Sequence, residues 1–224
     1  MSYKDTRSAY HNCEKAIYDG VGQFDIPELQ PVEVDFNNLE VIGFNYAITE
    51  KKPQDKIVHF YLDDYQFKRV WDAPTRYVDV LSKFKAVLQP DFSLYTDFPK
   101  AVQIFNHYRK HWLSAYWQEN GITVIPTICW SDESSFEWCF DGVPRNSVIS
   151  ISTVGGFKNE ETKRAWVAGY KKCIEVLDPS CILLFGKRWE ETQLEFNRPI
   201  EIMVAENSTI SRLNLLRRHK NDKD

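Results

Sequence analysis

The chain has 224 residues, of which 43% are hydrophobic, 27% charged and 14% aromatic, and its 28 basic and 32 acidic residues give a net charge of −4. This length suits one large domain, and the composition excludes a disordered, collagen-like or low-complexity chain. The negative charge disfavours bulk nucleic-acid binding, and no run of about 18 apolar residues predicts a membrane span.

Residues 1–40 are predicted to form a polar N-terminal arm, because Gly and Pro residues interrupt any long element there. We expect one helical turn at most, near residues 10–18. From residue 41 the sequence changes to short apolar runs rich in β-branched and aromatic residues, which is typical of buried strands. The predicted strands are 41–48, 57–62, 86–88, 122–130, 148–154, 181–185 and 200–204.

Amphipathic segments between these runs predict helices. The clearest helix begins after Asp97 as its N-cap and ends at Gly121, with an apolar stripe at helical spacing. A second covers residues 159–177 and stops at the Asp-Pro pair that follows. Shorter helices are expected at 65–84, 133–140 and 209–219.

The alternation of strands and helices predicts an α/β fold with a largely parallel sheet and crossover helices. Several strands end in acidic or polar residues that would face one edge, which favours an incomplete or irregular TIM-like barrel; an open doubly wound sheet is the alternative. The chain then divides into an N-terminal arm (1–40), an α/β domain (41–206), and a C-terminal helix with a basic tail (207–224).

Acidic side chains follow several predicted strands, at the edge where parallel α/β proteins bind ligands. The candidate catalytic residues are Asp63, Asp91, Asp132 and Glu133. Two separated carboxylates can act as acid and base in a hydrolase, whereas three can hold Mg²⁺ or Mn²⁺. The structural alternative is that these acids cap helices or pair with nearby Lys and Arg side chains.

Aromatic and hydroxyl side chains near the same loops are candidates for substrate binding. The helical stripes account for many of the 7 Trp, 11 Tyr and 14 Phe residues as core. Trp117, Trp130 and Tyr95 fall outside that pattern and can stack on a base or a sugar, or cover the sheet. Ser131 and Ser152 are candidate polar contacts.

The histidines and cysteines give no motif for metal binding or nucleophilic catalysis. His107 and His111 have i, i+4 spacing, but His107 falls off the apolar stripe and His111 at its edge, so a solvated pair is predicted. His59, inside a strand, is expected to be a hydrogen-bonded histidine of the core or of the strand edge. The 5 cysteines are expected to be reduced and mostly buried, and no elbow motif supports a nucleophile triad.

Four sequence blocks are distinctive: YLDDYQF (61–67), PDFSLYTDFP (90–99), YWQENGITVIPTICWSDESSFEWCFDG (116–142) and SVISISTVGG (147–156). Together they resemble a domain-of-unknown-function family of bacteriophages, integrative elements and Gram-positive bacteria, over residues 30–190. The resemblance implies a phage or mobile-element context, the cytoplasm of a bacterial host, and nucleotide, nucleic-acid or host-defence chemistry. It implies no catalytic residue.

Two functional hypotheses follow. The first is a carboxylate-dependent hydrolase acting on a nucleotide, a nucleic acid or a sugar-bearing small molecule, with Mg²⁺ or Mn²⁺ as the candidate cofactor. The second is a binding protein without chemistry, such as a phage inhibitor or sponge of a host defence signal or of a host protein.

Overall fold

Two four-stranded parallel sheets form the framework of the protein. The computed structural model describes residues 11–37, 40–193 and 200–205. The strands of the first sheet are, in spatial order, β3 (Glu40–Gly43), β4 (Lys56–His59), β5 (Ala86–Leu88) and β6 (Val124–Ile125). Those of the second sheet are, in spatial order, β7 (Thr127–Ile128), β8 (Val148–Ser152), β9 (Cys181–Phe185) and β10 (Glu201–Ala205). A short antiparallel pair, β1 (Gly20–Val21) and β2 (Ile26–Pro27), precedes them.

Helices connect the parallel strands. They are α1 (Phe44–Ala47), α2 (Asp64–Phe67), α3 (Arg69–Asp72), α4 (Pro74–Leu81), α5 (Lys100–Glu119) and α6 (Glu160–Leu177), with 3-10 turns at Pro53–Asp55, Glu133–Glu137 and Glu190–Thr192. None of the helices in the described ranges has the length and hydropathy of a membrane-spanning segment. The predicted α/β fold with parallel strands is confirmed; the described residues form open sheets and no closed barrel.

Each sheet has an outer face covered by helices and an inner face shared with the other sheet. Outer-face residues of the first sheet pack with the aromatic side chains of α2 to α5, and those of the second pack with α6 and residues 136–143. The inner-face cluster draws on both sheets: Val41, Ile57, Ala86, Leu88, Ile125, Val148, Cys181, Leu183, Phe185 and Ala205. Successive residues of each strand point to the inner and the outer face in turn, because side chains alternate along a strand. The strands of each sheet follow one another in sequence order, so right-handed crossovers place the connecting helices on one side of the sheet.

Pro126 divides a segment that the sequence predicts as one strand, 122–130. Because proline has no N–H group, it interrupts the ladder, and the chain changes partner there. β6 pairs with β5 on one side of Pro126, whereas β7 pairs with β8 on the other. The two sheets are thus joined through a single residue.

Several other predicted boundaries are wrong for local reasons. The run 41–48 is a strand only to Gly43 and then forms α1, since an apolar run does not distinguish a strand from a helix. The segment 65–84 forms three helices, with the last break before Pro74. Asp97 makes no cap, because α5 begins at Lys100 with Pro99 as its N-cap residue. The single turn expected near residues 10–18 is present as a hydrogen-bonded turn, in which Ala16 N donates to Asn12 O at 3.4 Å, and residues 11–18 contain no helix beyond that turn.

Helix α6 agrees with its predicted bounds, and the local reason is its capping. Asn159 Oδ1 accepts a hydrogen bond from Thr162 N at 2.8 Å, and Thr162 Oγ1 accepts one from Asn159 N at 3.2 Å. Asp178 ends the helix in the left-handed region, with φ of 44°. The predicted helix 209–219 lies outside the described residues.

The N-terminal arm covers one side of α5. Ile26 and Leu29 are buried, and Leu29 N donates to Gly142 O at 2.9 Å. The side-chain amide of Gln118 on α5 accepts from Gln30 N at 2.9 Å and donates to Gln30 O at 3.0 Å. These contacts bury the polar side of α5, which lies opposite the apolar stripe of the helix.

Candidate functional site

A buried lysine lies where the strands of both sheets end. Lys110, on α5, is 1% exposed, and its Nζ donates to Thr127 O at 2.9 Å and to Cys129 Sγ at 3.3 Å. Burying an ammonium group is costly unless hydrogen bonds and a counter-charge compensate for lost water. The surroundings of Lys110 therefore define the candidate site.

The interruption of the strand at Pro126 leaves the Thr127 carbonyl available to Lys110. Beyond the break, Thr127 N donates to the side-chain oxygen of Gln89 at 3.2 Å, and Thr127 Oγ1 donates to Gln89 O at 2.9 Å. The side chain of Gln89 thus replaces a ladder partner next to β5. The Thr127 carbonyl remains free of that ladder and accepts from Lys110.

Asp91 supplies the negative charge beside Lys110. It follows β5 and keeps partial exposure as a residue, while its carboxyl is shielded from water. Burial raises the pKa of Asp91 to about 6, an effect opposed by the charge of Lys110 and by a hydrogen bond with Cys129. A carboxylate with this pKa is ionised at neutral pH and can accept a proton readily.

Cys129 faces both charged groups. Burial raises the pKa of the Cys129 thiol to about 12; the charge of Lys110 lowers it and that of Asp91 raises it. The resting sulfur is therefore a thiol, and it becomes a nucleophile only if a base takes its proton. Asp91 is the base in contact with it.

Tyr61 and Ser150 complete this group of five, which we name the Lys110 cluster: Tyr61, Asp91, Lys110, Cys129 and Ser150. The two hydroxyl oxygens are 2.8 Å apart, and Ser150 Oγ donates to Leu183 O at 3.1 Å. Because that bond uses the serine hydrogen, Tyr61 is the donor to Ser150. Burial, followed by the charge of Asp91, raises the pKa of Tyr61, so its hydroxyl stays neutral.

A second layer of contacts holds the loop that carries Asp91. Asp64 accepts from Ser93 Oγ at 2.9 Å, and Asn106 donates to Ser93 O at 2.7 Å. The Arg109 guanidinium lies 3.6 Å from the centroid of the Phe92 ring and 3.9 Å from Asp64 Oδ2. These bonds connect α2, the loop after β5 and α5, and so fix the Asp91 backbone.

Aromatic rings border the Lys110 cluster on the inner face. The Phe185 ring centroid is 4.6 Å from those of both His59 and Tyr61. Desolvation lowers the pKa of His59 to about 4, so the ring is neutral, and neither nitrogen has a partner among the described residues. The expectation that His59 is hydrogen-bonded is wrong within that part of the chain.

Among the predicted carboxylates, Asp91 alone belongs to the Lys110 cluster. Asp63 is exposed at the start of α2, 3.5 Å from the side chain of Gln66. Asp132 caps the turn Glu133–Glu137 by accepting from Ser134 N at 2.9 Å, and Glu133 is exposed in the first turn. The described residues hold no group of three or more His, Cys, Asp or Glu side chains that could bind a metal ion.

The predicted aromatic contacts lie in three different environments. Tyr95 is 59% exposed in the loop after Asp91. Trp130 is half-buried, packs against Gly169 and donates from Nε1 to Ala165 O at 3.2 Å. Trp117 is 0% exposed and stacks on Phe60, so the expectation that it lies outside the core is wrong.

The two predicted serines take part in local hydrogen bonds. Ser131 N donates to Ser135 Oγ at 3.2 Å. Ser152 Oγ accepts from Val154 N at 3.1 Å, and Ser152 O accepts from Trp166 Nε1 at 2.9 Å. Both residues keep partial exposure at the carboxyl ends of β7 and β8.

The prediction of a solvated histidine pair is wrong. His107 and His111 are both 0% exposed, with ring centroids 4.5 Å apart. His107 Nε2 donates to Asp141 O at 3.1 Å, and His111 Nδ1 donates to Pro27 O at 3.0 Å. Residues off the apolar stripe of α5 were expected to face solvent, but the N-terminal arm and the turn before Gly142 cover this side of the helix.

Sequence reasoning missed Lys110, Cys129, Tyr61 and Ser150. Tyr61, Cys129 and Ser150 lie within predicted strands, where the apolar pattern predicts packing and no chemistry. Spacing gives no signal for Lys110, because Gln103, Asn106, Lys110 and Ser114 form a polar stripe on α5 that predicts a solvent-facing side, and only the structure shows that they are buried.

Comparisons with known proteins place these residues in a phage-associated family. A family model described as Domain of unknown function (DUF4417) matches residues 18–204. The "Gene 1 protein" of Mycobacterium phage L5 is 36% identical over 172 residues, which is 76% of this chain and 74% of the relative. The "Gene 1 protein" of Mycobacterium phage D29 is 34% identical over 164 residues, 73% of this chain and 61% of the relative, so the match spans less than two thirds of that protein.

No solved structure shows a significant match to the chain. The family match covers all five residues of the Lys110 cluster. The resemblance drawn from the four sequence blocks is confirmed, and the chain belongs to the DUF4417 family, a domain of unknown function.

Proposed function

We propose that this protein is a hydrolase in which Cys129 is the nucleophile, Asp91 the general base and Lys110 the stabilising cation. One observation carries the proposal: the buried Lys110 Nζ lies 3.3 Å from Cys129 Sγ, and both adjoin the shielded carboxyl of Asp91. A cation beside a thiol favours the thiolate, and a carboxylate with a pKa of about 6 can remove the proton. The carboxylate-dependent hydrolase expected from the sequence thus keeps Asp91 and acquires a thiol.

The reaction has two halves that Asp91 connects. In the first, Asp91 takes the Cys129 proton while sulfur bonds to the substrate carbon, and the leaving group departs with that proton. In the second, Asp91 takes a proton from water, the oxygen of water bonds to the same carbon, and the carbon–sulfur bond breaks. Cys129 regains its proton, so the protein is unchanged after one cycle.

Lys110 stabilises the negative charge that forms on the substrate. An ammonium group has three N–H donors, and Thr127 O and Cys129 Sγ accept from two of them. The third can donate to the oxygen or nitrogen that becomes anionic when sulfur adds. A preorganised donor of this kind is typically worth about 2.7–4 kcal/mol of activation free energy.

The substrate contains a trigonal carbon bonded to oxygen or nitrogen, as in an ester, amide or amidine, because a thiolate adds to such carbons. Nucleotides, nucleic acids and sugar-bearing small molecules meet this requirement where they carry an acyl or amidine group. Tyr95, exposed in the loop after Asp91, is a candidate to stack on the distal part. Two relatives are phage proteins, which supports action in the cytoplasm of an infected bacterium.

Acylation of the thiol by p-nitrophenyl acetate tests the proposal. We expect an initial burst of p-nitrophenolate of about one equivalent per chain, followed by slower turnover. Mass spectrometry of the quenched protein should locate an acetyl group on Cys129. Cys129→Ala should lose the burst, whereas Cys13→Ala, which removes a part-exposed thiol outside the cluster, should keep it.

The absence of a Cys129 burst in a folded protein would contradict the proposal. Acetylation of surface lysines alone, unchanged in Cys129→Ala, would do the same. Recovery of a co-purified ligand in chemically unaltered form, together with that negative result, would favour the binding-protein hypothesis instead.

A further inference from the structure

The contact between Lys110 and Cys129 also matters for oxidation chemistry, independently of hydrolysis. Nζ and Sγ are 3.3 Å apart, and the 1% exposure of Lys110 leaves its side chain little room to move away. The bond from Nζ to Thr127 O, at 2.9 Å, holds the amine in place. One oxygen atom inserted between these two atoms would join α5 to the end of β7.

We propose that Cys129 and Lys110 form a peroxide-sensitive covalent pair, in which hydrogen peroxide converts the sulfur–nitrogen contact into a reversible S–O–N bridge. The reactant is thus a small peroxide, and the modification site is the pair rather than the cysteine alone. Cys129 keeps partial exposure as a residue while its thiol is shielded, so the oxidant has to be small, and Lys110 is the more deeply buried partner.

The first step makes a sulfenic acid. Asp91 takes the thiol proton, the sulfur lone pair attacks one peroxide oxygen, and the O–O bond breaks. The hydroxide that leaves takes the proton back from Asp91 and becomes water. Sulfur has lost two electrons, one peroxide has been reduced, and Cys129 carries an S–OH group.

The second step closes the bridge and uses a second peroxide. Lys110 gives its extra proton to Asp91 and becomes a neutral amine. A bond then forms between Nζ and the sulfenic oxygen, one N–H and the O–H bond break, and the two hydrogens with two electrons reduce the second peroxide to two waters. The chain gains one oxygen and loses two hydrogens in total.

Reduction reverses the bridge. Two equivalents of dithiothreitol supply four electrons and four hydrogens, and they return the thiol, the amine and one water. Reversal separates this bridge from sulfinic and sulfonic acids, which a thiol reductant does not restore.

The other thiols supply internal comparisons. Cys139 and Cys173 are buried within the apolar cluster under α6, and burial raises the pKa of both thiols. Cys13 is part-exposed and its Sγ contacts a backbone carbonyl, that of His11. We expect Cys13 to oxidise without a bridge to an amine, because an amide carbonyl cannot supply the nitrogen.

Peptide mapping of the full-length protein after hydrogen peroxide treatment tests the inference. The expected product is a cross-linked pair of peptides containing Lys110 and Cys129, heavier by one oxygen and lighter by two hydrogens, that dithiothreitol converts back to both unmodified peptides. Cys129→Ser and Lys110→Met should each lack it. If Lys110→Met does not fold, the peptide map of the wild-type protein alone still decides whether the cross-link forms.

Oxidation of Cys129 to sulfenic or sulfinic acid without the cross-link, in folded wild-type protein, would overturn the inference. So would a cross-link that joins Cys129 to a different lysine. Neither outcome depends on the acylation burst, so a failure here and a failure of the hydrolase proposal are distinguishable.

Discussion

Helix α5 buries a histidine pair and a lysine within two helical turns, and their hydrogen-bond partners are different in kind. His107 and His111 donate to the backbone carbonyls of Asp141 and Pro27. Lys110 donates to one backbone carbonyl and to the sulfur of Cys129. Both sets are almost completely buried, so burial alone does not distinguish them.

The difference lies in what the partner can do. A backbone carbonyl accepts a hydrogen bond and keeps its protonation state, so the histidine pair connects α5 to the N-terminal arm and to the turn before Gly142. A thiol and a carboxylate can exchange a proton with each other. A buried polar group next to titratable partners is therefore a candidate for reactivity, and on this ground we propose a reactive role for the Lys110 cluster, whereas the bonds of the histidine pair to backbone hold elements of the fold together.

Asp91→Asn should give the largest effect on the reactive side. Removing a general base typically lowers a rate by about 100- to 10,000-fold, and we expect acylation of Cys129 by p-nitrophenyl acetate to fall within that range. Burial raises the pKa of Asp91 to about 6, so the wild-type rate should rise as pH increases through that value. Stopped-flow release of p-nitrophenolate measures both.

The pH profile of Asp91→Asn supplies the control. It should lose the step near the pKa of Asp91. Because the change also removes the counter-charge of the buried Lys110, we expect a lower melting temperature, and the rates are compared at a temperature where circular dichroism shows both proteins folded. An unchanged step near pH 6 in the variant would assign the ionisation to another group and remove Asp91 from the role of base.

Asp91 was the part of this site that the sequence could reveal. The rule that ligands bind at the carboxyl ends of parallel strands selected it, and the same pattern predicted the strands, α5 and α6. The rule also selected Asp63 and Asp132, because it cannot tell a carboxyl that faces a site from one that begins a helix.

Lys110 and Cys129 could not be recognised in the same way. They lie 19 residues apart, on a helix and after a strand, and they meet only because Pro126 moves the chain from one sheet to the other. The burial of His107 and His111 could not be predicted for a related reason. Their cover comes from the N-terminal arm, whose docking is a long-range contact that local periodicity does not encode.

Gly142→Ala is the single substitution from which we expect the largest loss of stability on the assembly side. Gly142 has a φ of +76°, and an added Cβ would lie 2.5 Å from Pro27 O and 2.6 Å from His111 Nδ1. The strained backbone and the displaced His111–Pro27 bond should together cost about 2–3 kcal/mol. Urea denaturation measures this loss; the acylation burst per folded chain should be retained, and its loss would show that the two sides of α5 are not independent.

Acidic pH should also destabilise the assembly side. Burial lowers the pKa of both His107 and His111 well below 6.5, so the unfolded chain binds more protons than the native one as pH falls below that value. Stability contributed by the neutral rings is therefore complete above about pH 6.5 and declines by about 1.4 kcal/mol per histidine for each pH unit below it. Urea denaturation between about pH 7 and pH 5 checks the slope.

The double variant His107→Gln, His111→Asn is the matched control, since each amide nitrogen replaces the donor used by the histidine. It should flatten the slope. Asp91 acts with the opposite sign, because its raised pKa makes protonation stabilise the native state below about pH 6, so the difference between wild type and double variant is the quantity to compare. Equal slopes in the two proteins would contradict the assignment.

Asp132 should give the smallest effect and sharpen the division between reactive and structural carboxylates. Its side chain accepts from Ser134 N at 2.9 Å and caps the turn Glu133–Glu137, so Asp132→Ala should cost about 0.5–1 kcal/mol in urea denaturation. Asp132→Asn keeps an oxygen that can accept this bond and should cost less. Neither change should alter Cys129 acylation, because the carboxylate is needed there as a cap and not as a charge. A tenfold or larger fall in the acylation rate of Asp132→Asn, with unchanged stability, would instead give Asp132 a place beside Asp91 in the chemistry.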